Sequence, residues 1–92
     1  MEWLNVETYT IIKIMRGYAQ DNPYPKERKQ LGDRIRIIRE KKSLTQEDLA
    51  DKAGVDVSYL AKIENGYVNT TLRYLIKLSR ALGVKAKDLI EF

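Results

Sequence analysis

At 92 residues the chain is the size of one small domain. Lys and Arg number 17 against 13 Asp and Glu, for a net charge of +4, and there is neither cysteine nor histidine; this excludes disulfides, thiolate or imidazole metal sites, cysteine nucleophiles and His-based acid–base schemes. A composition of 43% hydrophobic and 33% charged residues is that of a globular domain, and no uncharged apolar run approaches the ~20 residues of a membrane span.

The chain begins with Trp3 and Leu4 behind an acidic Glu2, and charge returns at Glu7 and Lys13, which is not the pattern of a signal peptide. Together with the lack of cysteine this sets the expected location in the cytoplasm. Residues 1–20 form an N-terminal arm with two competing periodicities. Leu4, Ile11, Ile12, Met15, Tyr18 and Ala19 follow roughly helical spacing, whereas Val6, Thr8, Thr10, Ile12 and Ile14 alternate as in a strand. The helix is preferred because the apolar set continues to Ala19. So short a segment buries little alone and is expected to pack on the body or on another chain. Asp21-Asn22-Pro23-Tyr24-Pro25 then interrupts the pattern, since two closely spaced prolines force extended backbone. The expected division is an arm and hinge over 1–27 and a body over 28–92.

The body reads as five helices, an all-α orthogonal bundle. The first spans about 31–41, with Leu31, Ile35 and Ile38 on one stripe. Ile37 falls off that stripe and is expected to lie under the arm or a second subunit. The second spans about 46–53, capped by Thr45 with Asp48 three residues on. The third spans about 57–64, capped by Asp56 and closed by Asn65-Gly66. The fourth spans about 72–82, between Thr71 and Gly83, and the fifth about 86–91.

Charge is unevenly spread. Residues 1–25 carry a net −1, residues 26–42 a net +5 and residues 43–92 a net of zero. A basic stretch suits a polyanion, and Lys26, Arg28, Lys29, Arg34 and Arg36 could track nucleic acid; the preferred reading is that they keep the hinge soluble. Candidate catalytic groups reduce to the carboxylate pairs Glu47/Asp48 and Asp51/Asp56. The first pair sits at a helix start, where acidic residues are favoured anyway, and the five glycines are too scattered to cradle a phosphate. No enzyme activity, metal or cofactor is expected.

The informative pattern lies in 46–65. Small Ala50, then Gly54, with apolar Leu49, Ala53, Val55, Leu60 and Ile63, is what two helices need to meet at a steep angle across a short turn. The apolar set faces the core, so Val57, Ser58, Ala61 and Lys62 face outward. That surface is small and polar with one cation, and it fits a DNA major groove.

The body resembles the lambda-repressor/Cro-like, or XRE-type, helix-turn-helix family over about 31–92. The matching segments are Leu31-Gly32, Ile35 through Glu40, Leu44 through Ala50, Ala53-Gly54-Val55, Ser58-Tyr59-Leu60, Ile63 through Gly66 and Leu82-Gly83-Val84. The resemblance implies a sequence-specific, double-stranded DNA-binding transcriptional regulator, most simply a dimeric repressor on a pseudo-palindromic operator. It implies base contacts from Val57, Ser58 and Lys62. It implies backbone contacts from Gln46, Tyr59, Asn65, Tyr67, Asn69, Thr70 and Thr71, with partial packing on the bundle as the other reading of Tyr59. Arg39 and Glu64 match a structural ion pair. A homodimer is expected through the arm or through the fifth helix with Leu89, Ile90 and Phe92. The chain departs from the family at Ser43, where glycine usually ends the first helix, and at Lys85, where Ser or Thr usually caps the fifth. The arm has no counterpart in a minimal family domain and motivates the alternative, an antitoxin or anti-regulator module that binds a protein through residues 1–20.

Overall fold

The computed structural model describes residues 9–11 and 23–92, and every described regular element is helical. Residues 9–11 are helical; the remaining arm expectations, and the start of the hinge at 21–22, lie outside the described residues. The body contains α1 (Pro25–Lys41), α2 (Gln46–Ala53), α3 (Val57–Glu64), α4 (Leu72–Leu82) and α5 (Ala86–Leu89). This is the expected five-helix body.

Two helix limits differ from expectation. The first helix starts at Pro25, so the boundary drawn between 27 and 28 falls inside α1. Proline is excluded from a helix interior by its missing N–H, but at N1 that N–H has no intrahelical partner to lose. Pro25 therefore begins the helix that its presence was taken to forbid. The preceding residue carries the strain: Tyr24 adopts a left-handed backbone with φ of 60°. At the other end α5 stops at Leu89, two residues short. Lys85 and Lys87 place positive charge at the positive end of its dipole, opposed by Asp88, whose carboxylate accepts the Lys85 backbone N–H at 2.9 Å.

Ser43 takes φ of 57°, the turn for which glycine is the usual residue. The core gathers residues from all five helices: Leu31 and Ile35, Leu49 and Ala50, Leu60 and Ile63, Leu78, Ala81 and Leu82, and Leu89. In packing terms α3 lies between α1 and α2, while α4 rests on α2 and α5. Ile37, expected to be covered, is 50% exposed in the single chain. Leu89, placed above in a possible dimer surface, is fully buried and belongs to the core; Ile90 and Phe92 beside it are exposed.

Candidate nucleic-acid interface

The junction of α2 and α3 is built by local chemistry at each end. Thr45 Oγ1 accepts the Asp48 backbone N–H at 3.0 Å, and Asp48 returns the bond by accepting the Thr45 N–H at 2.9 Å. These bonds hold the Asp48 carboxyl below its ordinary value of 3.8. Gly54 ends α2 with φ of 68°, and the Val55 N–H turns back to the Ala50 carbonyl at 2.9 Å. Asp56 then caps α3 by accepting the Tyr59 N–H at 2.9 Å. Ala50, buried at the junction, lets the two helices approach closely.

With Leu60 and Ile63 fully buried, the rest of α3 turns outward as the spacing predicts. Ser58 and Lys62 are exposed, and Ala61 is half-buried. Val57 is also half-buried and touches the core, so less of it is offered to a groove than the pattern suggests. A shallow cleft lined by Arg39, Leu44, Thr45, Gln46, Glu47 and Val57 brings the N-termini of α2 and α3 together.

Behind this surface lies a buried polar mesh. Arg39 Nε donates to Glu64 Oε2 at 2.8 Å and Arg39 Nη2 to Glu64 Oε1 at 2.9 Å, a two-pronged pair with both residues buried. Arg39 Nη1 donates to the Leu44 carbonyl at 2.8 Å. Its hydrogen bonds to Glu64 hold the guanidinium above its already high ordinary value, so it stays charged. Gln46 Nε2 donates to the same Glu64 Oε1 at 3.1 Å. One carboxylate on α3 thus ties down α1 and α2. The family resemblance implied the Arg39–Glu64 pair; it did not imply the Gln46 bond, since it assigned that side chain to a phosphate. A side-chain amide has two N–H groups, so Gln46 keeps donor capacity beyond the one spent on Glu64.

The backbone-edge candidates divide by surroundings. Asn65 closes α3, is exposed, and donates its N–H to the Ala61 carbonyl at 3.0 Å. Tyr67 is 66% exposed. The Asn69 amide donates to the Pro23 carbonyl at 3.2 Å. The Thr71 hydroxyl accepts the Tyr74 N–H at 3.3 Å and so serves as the cap of α4. Thr70 points inward: its hydroxyl oxygen is buried with no hydrogen-bond partner. Tyr59 packs its ring on Tyr74, with centroids 4.6 Å apart and planes inclined by 56°, which is the packing reading of that residue.

This geometry finds counterparts among known proteins. Residues 35–89 match the Helix-turn-helix family model HTH_3. The control protein C.BamHI of Bacillus amyloliquefaciens is 42% identical over 62 residues, covering 66% of this chain and 76% of that protein. The immunity repressor protein of Bacillus phage phi105 is 40% identical over 60 residues, covering 65% of this chain but 42% of the repressor. Among solved structures, the restriction-modification controller protein C.AhdI from Aeromonas hydrophila superimposes with a TM-score of 0.68 at 36% identity, over 70% of this chain and 97% of that one.

Proposed function

Because the chain belongs to the helix-turn-helix family, we propose that it is a double-stranded DNA-binding transcriptional regulator acting as a repressor, with α3 as the helix that enters the major groove. The observation that carries this reading is the exposed Ser58–Lys62 face of α3, fixed from behind by Arg39, Gln46 and Glu64. A groove reader must hold its reading helix in one pose before it meets DNA, and a largely buried hydrogen-bonded mesh supplies that rigidity. The relatives named as a control protein and an immunity repressor support the same reading.

In detail, Ser58 donates to or accepts from base edges, Val57 meets a thymine methyl with its exposed part, and Lys62 reaches guanine O6 and N7 or a phosphate. Gln46 offers its second amide hydrogen, and the N-terminus of α2 its dipole, to a phosphate across the shallow cleft. Asn65, Tyr67 and Asn69 follow the sugar–phosphate edge. Thr71 contributes less, since its hydroxyl is engaged as a cap, and Thr70 and Tyr59 act mainly by packing. The acting form is a homodimer that sets two α3 helices about 34 Å apart on a pseudo-palindrome.

Selection from a random duplex pool, followed by sequencing, tests this directly. The expected result is one enriched two-fold-symmetric site, bound more weakly by roughly 1–3 kcal/mol after Lys62→Ala. Failure to enrich any duplex at low salt would overturn the reading. The alternative, a protein-binding module acting through residues 1–20, predicts instead that DNA binding survives deletion of 1–22 while a co-purifying protein is lost.

A further inference from the structure

The DNA-reading segment is poorly charged for its task. Residues 43–71, which contain α2, α3 and the loop before α4, carry a net −3, with Lys52 and Lys62 as their cations, and 65–71 has no charged residue. Duplex DNA is a dense polyanion, and most non-specific affinity comes from phosphates neutralised by Lys and Arg. The cations have to come from elsewhere in the fold.

The first two turns of α1 are placed to supply them. They pack against the 65–71 loop. Arg28 Nε donates to the Gly66 carbonyl at 2.9 Å, and Asn69 Nδ2 donates to the Pro23 carbonyl at 3.2 Å. The contact is close enough that a Cβ on Gly66 would stand 3.0 Å from the Lys29 Cα. Lys26 and Lys29 are thereby carried to the flank of the loop assigned to the sugar–phosphate edge, and both are exposed. Their stretch, 26–42, carries a net +5. Glu27 is the opposing charge in the same turn, and Arg28 adds a cation bound to the loop itself. Lys29 is paired with Asp33 at 2.5 Å, but Asp33 also accepts from Arg36 at 2.9 Å and keeps that partner if Lys29 swings away.

We infer that Lys26 and Lys29 on the N-terminal turns of α1 form a second phosphate-binding edge, continuous with the 65–71 loop, that grips the duplex backbone without regard to base sequence. This rests on the DNA-binding reading above and adds a source of affinity to it. It also revises the view of these lysines as solubilising residues around a hinge, because they stand on a helix docked beside the reading loop.

The test is a salt titration of binding by the full chain, with the selected duplex and a scrambled one. The double variant Lys26→Ala/Lys29→Ala is expected to reduce the slope of log K against log salt by roughly 1.8, about 0.9 for each lost phosphate contact. Both duplexes should lose affinity by a similar factor. Lys26→Gln alone, at an exposed site, should reduce the slope by about 0.9. Lys26→Arg/Lys29→Arg should retain the wild-type slope; thermal melts of that variant and of Lys26→Gln should match the wild type, and the Ala double variant should fall only by what the exposed Lys29–Asp33 pair contributes. An unchanged slope in the Ala and Gln variants, or a loss confined to the selected duplex, overturns the inference while leaving the regulator reading intact. A wild-type chain that binds neither duplex would overturn both.

Discussion

Gly32 on α1 lies so close to Glu64 at the end of α3 that an added methyl group would stand 2.4 Å from the Glu64 carbonyl oxygen, and equally close to that of Ile63. Both obstacles are backbone atoms and cannot rotate aside. On helix propensity alone alanine would be about 1 kcal/mol better than glycine here. Overpacking costs about 1–3 kcal/mol, and this approach is tight enough for the upper part of that range. Gly32→Ala is therefore expected to destabilise the fold by about 2 kcal/mol on balance, read as a lower midpoint in urea.

The Arg39–Glu64 pair predicts a non-additive mutant cycle. Arg39→Ala or Glu64→Ala leaves one buried charge without its partner, at a cost of about 3–5 kcal/mol. Arg39→Met/Glu64→Leu strands no charge and is expected to cost less than either single change. Denaturant melts of the three variants measure the coupling; a double variant as unstable as the sum of the singles would contradict it.

Ser43 offers a gain. A non-glycine residue in the left-handed region costs roughly 1–2 kcal/mol, and glycine adopts that region freely but loses more entropy on folding. Ser43→Gly should stabilise the chain by about 0.5–1 kcal/mol. The measurement is a rise in melting temperature with unchanged DNA affinity, since Ser43 lies outside the α3 face.

Acid should weaken the start of α2 and the outer face of α1. The Asp48 carboxyl is held below 3.8 by its bonds with Thr45, and that of Asp33 chiefly by its hydrogen bond with Lys29, with Arg36 contributing. A lowered carboxyl pKa means that the unfolded chain takes up protons first as pH falls. The stabilisation is present in full above the unfolded value and is lost as pH drops through the folded one. The melting temperature should accordingly be flat from neutrality to about pH 5 and fall below about pH 4. Asp48→Asn should shrink the fall. A melt insensitive to pH across that window would refute the assignment.

The reading of the sequence was sharpest where structure is decided locally. Thr45, Gly54, Asp56, Asn65, Thr71 and Gly83 each mark a helix end through their own backbone or side chain, and α2, α3 and α4 begin and end where those residues indicate. It was weakest where one signal has two meanings or a contact is distant in sequence. Pro25 excludes a helix interior but suits a helix start, and only the neighbouring loop reveals which applies. The outward face of α3 was legible from spacing, yet the partial burial of Val57 and the turn of Thr70 into the fold depend on packing against the assembled core. Nothing in the spacing of Gly32 and Glu64 announced that their backbones would touch.

Glu64 accepts hydrogen bonds from α1 through Arg39 and from α2 through Gln46, while standing on the last turn of α3. The pitch of α3 is therefore inherited from a shared keystone and cannot be tuned independently of the frame. On the proposed reading of α3, retargeting this scaffold to another operator would proceed by exchanging side chains at 58 and 62 on an unmoved rod, much as type is changed in a press whose bed stays bolted down.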